Sequence, residues 1–155
     1  MATNLTEQEF SSILDRALRT VTCRMGQMQL FPQPSKPSEE MCAVSTTFEG
    51  DFCGTLILCM EPVFLRHLTR EVLDSGAVTF QDMVDTAKEF FNVFCGSVAA
   101  GLFQSAGLST RFCIPQFCCG CADCTPESCR MLFYTSCSQG GLQLIHHFCP
   151  LSPTV

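Results

Sequence analysis

Apolar residues follow a helical period at the start of the chain and an alternating one further on. Phe10, Ile13, Leu14, Ala17, Leu18 and Val21 stand at the i, i+3, i+4, i+7 spacing of one buried helical face. Thr6 and Glu9 ahead of them form a capping box, so a first helix is predicted from there to about Arg24–Gly26. Three prolines in residues 31–40 predict a surface connection. Val, Thr and Phe over 41–48, and Phe, Leu and Ile over 52–60, predict two strands of a hairpin turning at Glu49-Gly50-Asp51. Gly54 inside the second strand marks a bulge or a close backbone approach. Pro62 suits the first turn of a short helix over 62–74 that buries Phe64, Leu65, Leu68 and Val72, and Asp74-Ser75-Gly76 stops it.

The longest periodic segment comes next. Thr79 and Asp82 open a helix over about 79–106, and Gly107 closes it. A strand near 109–114, a cysteine-rich loop from Pro115 to Ser128, and a last hairpin of 130–137 with 142–149 complete the pattern. The predicted fold class is α+β: three helices and a mostly antiparallel sheet of about five strands, in a single domain spanning 1–155.

At 100° per residue the long helix divides cleanly. Met83, Val84, Ala87, Phe90, Phe91, Phe94, Val98 and Leu102 share one broad face and are expected in the core. Asp82, Asp85, Glu89 and Asn92 lie opposite, followed by Gly96, Ala99 and Ala100. Asn is a poor helix former, and Gly in a helix costs about 1 kcal/mol relative to Ala. A face that only had to be solvated would use Glu, Lys and Gln at less cost. An acidic end that gives way to Asn92 and then to very small residues instead suits a helix onto which another surface docks. From spacing alone, an ordinary solvated face is the commoner reading of such a stripe.

Composition narrows the field. The 155 residues are 46% hydrophobic and 15% charged, which argues for a globular chain. Net charge is −6 and only Lys36 and Lys88 are lysines, so no basic patch offers itself to nucleic acid. Neither a GxGxxG nor a GxxxxGK[ST] loop occurs, and no apolar run approaches the ~18–20 residues of a membrane span. The segment Met1–Leu14 lacks the early basic residues of a secretory signal, and a cytosolic protein is expected.

Asp85, Glu89 and Asn92, at the spacing DxxxExxN and followed by Gly96, resemble the signature of the CheX/CheC phosphatases of bacterial chemotaxis. Three other segments resemble the same family in the same order: FEGDFCG at 48–54, AAGLFQSAGL at 99–108 and RFCIPQ at 111–116. CheC-type members carry two signatures, whereas the first helix here has no ExxN, so the resemblance is to the one-site CheX type. Such proteins are commonly homodimers. The resemblance implies a phosphatase acting on the aspartyl phosphate of a CheY-like receiver domain. It makes Glu89 and Asn92 catalytic, with Asp85 and Gly96 in docking. Asn92 would orient the attacking water and Glu89 would pair with the receiver's lysine. The chain would need no cofactor of its own, because Mg²⁺ belongs to the partner's phosphorylation site. The alternative is a non-catalytic binding module of the same fold, sensing metal or redox state through residues 118–129.

Thirteen cysteines, an odd number, argue against a disulfide framework. Cys53, Cys59 and Cys95 fall in apolar patterns and are expected as small buried thiols. Cys118, Cys119, Cys121, Cys124 and Cys129 cluster, with CxxC spacing from 118 to 121 and from 121 to 124. The overlap of these pairs in one short segment departs from the two separated pairs of structural zinc sites. An incidental reduced loop is the ordinary reading, beside metal binding by Cys118, Cys121, Cys124 and Cys129 or a redox-sensitive thiol pair. His146 and His147 should point to opposite sheet faces, with His67 on the polar side of its helix, all three ordinary surface or half-buried histidines.

Overall fold

The computed structural model describes residues 5–32, 41–120, 129–135 and 140–149. Helix α1 (Glu7–Gly26) begins at the expected capping box: Thr6 Oγ1 accepts from Glu9 N–H at 3.1 Å, and Glu9 Oε2 accepts from Thr6 N–H at 2.9 Å. It ends at Gly26, within the expected bounds, and Gln27 caps it in the left-handed conformation with φ 53°. Strand β1 (Leu30–Pro32) follows, then β2 (Cys42–Gly50) and β3 (Cys53–Met60), the expected hairpin. Helices α2 (Pro62–Leu73) and α3 (Phe80–Ala106) come next. The short strands β4 (Thr110–Phe112) and β5 (Gln116–Cys119) and the hairpin β6 (Cys129–Thr135) with β7 (Gly141–Cys149) complete the chain.

These strands form one antiparallel sheet in the order β1-β6-β7-β3-β2-β4, with β5 also on β2. The fold is α+β: among the described residues there are three helices, and the sheet has seven strands where about five were expected. Both additions are short. β1 occupies the start of the segment read as a connection, of which 33–40 lie outside the described residues. β5 occupies the start of the segment read as a cysteine-rich loop. β4 and β5 share one edge of β2, against 48–50 and 42–45 respectively, and between them Cys113 holds the chain to β2. Cys113 N–H donates to Thr47 O at 3.0 Å, and Thr46 Oγ1 donates to Cys113 O at 2.7 Å.

Alternation along the strands sends Val44, Phe48, Leu56, Leu58, Met60, Leu142, Leu144 and Phe148 into one core with the buried faces of the helices. A smaller cluster of Met41, Ala43, Cys59 and Ile145 forms on the other face. Gly54 lies opposite Phe148, and a Cβ there would fall against His147 O and the Phe148 ring, the close approach expected of it. Val72, expected in the α2 interface, is 39% exposed, and Thr69 is buried in that face instead, its hydroxyl donating to Leu65 O at 2.7 Å.

The cysteines divide. Cys95 is buried as expected, and burial pushes its thiol pKa up. Cys53 is exposed, because it opens β3 beside the turn and its Sγ lies 3.2 Å from Gly50 O. Cys59 is fully buried but disulfide-bonded, which corrects the expectation of a free thiol there. Linear spacing does not indicate which cysteines a fold brings within bonding distance.

His146 and His147 do take opposite faces, but His146 is deeply buried rather than half-exposed. Its ring meets Phe10 edge-on at 5.1 Å and lies 6.2 Å from Phe148. Burial, and secondarily the neighbouring His147, lower its pKa to about 4. The unfolded value is near 6.5, so the unfolded chain binds the proton first and acid favours unfolding. The contribution is fully present above pH ~6.5 and declines as pH falls toward about 4, reaching a loss of about 3 kcal/mol at most. Urea denaturation between pH 7 and pH 4 should show this slope, and His146→Leu should flatten it. An equal slope in both proteins would remove His146 as its origin.

Candidate functional site

Helix α3 is built to hold one face still and to leave the other free. Thr79 Oγ1 accepts from Asp82 N–H at 3.0 Å while Asp82 Oδ2 accepts from Thr79 N–H at 2.8 Å, so the first turn is closed by a capping box. At the other end Gly107, with φ 66°, donates its N–H to Phe103 O at 2.8 Å, a conformation that suits glycine. Between the caps Met83, Ala87, Phe90, Phe91, Phe94, Val98 and Leu102 are buried as the periodicity predicts, joined by Thr86, Cys95 and Ala106. Val84, expected among them, is half-buried at the margin. Phe90 meets Phe64 of α2 at 6.2 Å, so the aromatic face fixes the helix rotation against its neighbour.

With that rotation fixed, Asp85, Glu89, Asn92 and Gly96 all emerge on the exposed row. The row rises about 1.5 Å per residue, so Glu89 and Asn92 are about 4.5 Å apart along the axis, one turn and on one side. Neither makes an intramolecular hydrogen bond or ion pair among the described residues. Asp85 differs, because its Oδ1 accepts from Gln81 Nε2 at 2.9 Å. Space around Gly96 is open, with nothing within 4 Å of where a Cβ would stand. What the row can do chemically is reach into another molecule: it presents the Glu89 carboxylate and the Asn92 carboxamide at fixed spacing.

Two further residues belong to this face and were not singled out by sequence. Phe103 is 62% exposed, and at 100° per residue it lies in line with Asp85, eleven residues beyond Asn92. Val93, beside Asn92, is 39% exposed. Extending the helical arithmetic past Ala100 would have found Phe103; Val93 carries no comparable signal. Alongside runs a shallow groove of about 200 Å³ between α1 and α3, lined by Ile13, Arg16, Ala17 and Thr20 on one side and Ser97, Ala100, Gly101, Gln104 and Ser105 on the other.

The remaining candidates separate from this row. Cys118 and Cys119 are free and exposed at the end of β5, while Cys121, Cys124 and the side chain of Cys129 lie outside what the structure describes. Among the described residues no group of three or more His, Cys, Asp or Glu could hold a metal ion. His67 approaches Glu71 at 4.0 Å on α2, and the exposed pair Arg111–Glu49, at 3.7 Å, bridges β4 and β2. No helix among the described residues is long and apolar enough to cross a membrane.

Residues 42–122 match the family model described as Chemotaxis phosphatase CheX. Among solved structures, the chain is similar to the chemotaxis protein CheX of Desulfovibrio desulfuricans, with a TM-score of 0.77 at 18% identity over 90% of this chain and 99% of that one. A CheC-like superfamily protein from Shewanella sp. PV-4 matches with a TM-score of 0.77 at 17% identity, over 92% and 98% of the two chains. A chain of the CheX–CheY complex with BeF3 and Mg²⁺ from Borrelia burgdorferi matches with a TM-score of 0.69 at 13% identity, over 90% and 97%. No curated protein sequence matches significantly.

Proposed function

The chain belongs to the chemotaxis phosphatase family CheX, and from that premise we propose that it hydrolyses the aspartyl phosphate of a CheY-like receiver domain. The observation that carries this reading is the pair Glu89 and Asn92, exposed and without an intramolecular partner among the described residues, on a helix whose opposite face is locked in the core. A structural helix gains nothing from an unpartnered Asn at its middle.

The receiver supplies the phosphorylated aspartate and the Mg²⁺ that neutralises the phosphoryl oxygens, so the work left to this chain is positioning. Phosphoryl transfer through a loose transition state responds mainly to alignment and charge stabilisation. Asn92 enters the receiver's site, and its carboxamide holds a water in line with the phosphorus, converting a chance encounter into a fixed geometry. Glu89, one turn earlier, pairs with a lysine of the receiver and sets the register in which Asn92 arrives. Gly96 permits close approach of the two backbones, while Phe103 and Val93 provide apolar contacts around the polar pair. Asp85, tied to Gln81, supports docking at the acidic end of the row. One domain of this kind, acting in the cytoplasm as a homodimer, is the form in which we place the activity.

The expected result is that a CheY-type receiver, phosphorylated with a small acyl phosphate and freed of the donor, loses its phosphate faster when this protein is added. The acceleration should saturate with protein concentration and stop when EDTA strips the receiver's Mg²⁺. Unchanged decay across the receivers of the same source would overturn the enzymatic reading. Binding without acceleration would leave a docking module of the same fold.

A further inference from the structure

The corner of the sheet where β5 joins β2 holds two thiols that the site on α3 does not use. Antiparallel pairing sets Cys42 of β2 directly opposite Cys119 of β5, and Ala43 opposite Cys118. The hydrogen bonds fix what kind of pair each one is. Gly120 N–H donates to Met41 O at 2.7 Å, so Met41 and Gly120 form a hydrogen-bonded pair. Pairs alternate along an antiparallel ladder, which makes Cys42 and Cys119 a non-hydrogen-bonded pair. In such pairs the Cα atoms stand about 4.5 Å apart and the side chains leave on the same face, at their closest. That separation is at the short end of the Cα range a disulfide spans, about 4.4–6.8 Å. Both cysteines are free thiols, Cys42 nearly buried and Cys119 exposed.

We propose that Cys42 and Cys119 are a redox-active pair, which a peroxide closes into a cross-strand disulfide joining β5 to β2. Cys119 is the thiol that solvent reaches. Its sulfur attacks one peroxide oxygen, the O–O bond breaks, and water leaves, so that Cys119 becomes a sulfenic acid. The Cys42 sulfur then attacks the Cys119 sulfur; the S–S bond forms, the S–O bond breaks, and the Cys42 proton leaves with the hydroxyl as a second water. Two thiols have given two electrons to one peroxide. Burial, with Cys119 and Cys118 close by, pushes the Cys42 thiol up, which suits a resolving partner rather than the first point of attack. Cys119 is exposed, and exposed disulfides are the labile ones, so the link is reversible by an ordinary dithiol.

The alternation of a strand excludes the neighbouring candidate. Cys118 leaves β5 on the opposite face from Cys119, over Ala43, with its Sγ 3.6 Å from Gly120 O. The pairing therefore differs from any CxxC bond within the cysteine cluster. It would tie down the strand whose Phe117 meets Phe80, the first residue of α3, at 6.1 Å.

The test is hydrogen peroxide in small molar excess on the full chain, followed by thiol blocking and tandem mass spectrometry of the non-reduced digest. The expected result is loss of two blockable thiols and a cross-link between the peptide carrying Cys42 and that carrying Cys119, released by dithiothreitol. Cys119→Ala and Cys42→Ala should each abolish this link, and Cys118→Ala should retain it. In Cys42→Ala the Cys119 sulfenic acid should persist and be trapped by dimedone, a readout that does not depend on stability. No loss of the two thiols, a link that survives Cys42→Ala, or a link from Cys119 to another cysteine of the cluster would each overturn the proposal.

Discussion

Replacing Asn92 by alanine is expected to lower the accelerated dephosphorylation of a CheY-type receiver by about 10²-fold or more while leaving the protein folded. The reasoning separates two effects that usually travel together. Asn92 is exposed and has no intramolecular partner among the described residues, so truncation opens no cavity and orphans no hydrogen bond there. Alanine is the better helix former, and the melting temperature should stay level or rise slightly. What is lost is the carboxamide that fixes the attacking water, and an aligned reactant of this kind contributes through proximity rather than affinity. The receiver concentration giving half-maximal rate should therefore change much less than the maximal rate. Asn92→Asp sharpens the result: it keeps the shape but presents a negative group to a phosphoryl centre that is already anionic, and it should not rescue. Single-turnover decay, with circular dichroism on the same samples, measures all of this. Full activity in Asn92→Ala would remove that residue from the chemistry even if the protein proves to be a phosphatase.

The parts of the fold that could be read from sequence are those whose cause is local. Both capping boxes, Thr6 with Glu9 and Thr79 with Asp82, form as expected, because their partners are three residues apart and need nothing from the rest of the chain. The split of α3 into an aromatic face and an exposed row is equally local, and it placed Asp85, Glu89, Asn92 and Gly96 together. What escaped depends on distant partners. β1 is three residues ending in proline and exists because Thr135, Tyr134 and Phe133 of β6 run beside it. β5 is a strand only by pairing with Cys42–Ser45, more than seventy positions earlier. Val72 falls on the periodic stripe of α2, yet the helix ends at Leu73 before the core reaches it. The register that opposes Cys42 to Cys119 is likewise a product of strand pairing. Phe103 is the opposite case: its position on the exposed row is simple helical arithmetic, overlooked because a phenylalanine in an apolar helix tail suggests core.

Glu89 supplies the second large effect, and its variants ask a different question from those of Asn92. If the carboxylate pairs with a lysine on the receiver, its charge matters more than its size. Glu89→Gln preserves shape and hydrogen bonding, and should raise the receiver concentration needed for half-maximal rate by ~10-fold, in line with close charge pairs across interfaces. Glu89→Lys sets two ammonium groups against each other and should raise it by ~10²-fold or abolish detectable docking. Because the side chain is exposed, neither change should shift the denaturation midpoint appreciably. The wild-type rate should also fall with added salt more steeply than that of Glu89→Gln, since only the former has the pair to screen. Register enters as well: Asn92 sits one turn beyond Glu89, so loosening that contact lets the carboxamide arrive misaligned. The maximal rate should thus fall in the Glu89 variants as well, though less than in Asn92→Ala. Equal salt dependence in wild type and Glu89→Gln, with an unchanged half-maximal concentration, would sink the proposed ion pair and leave Glu89 as an ordinary solvated position beside the catalytic one.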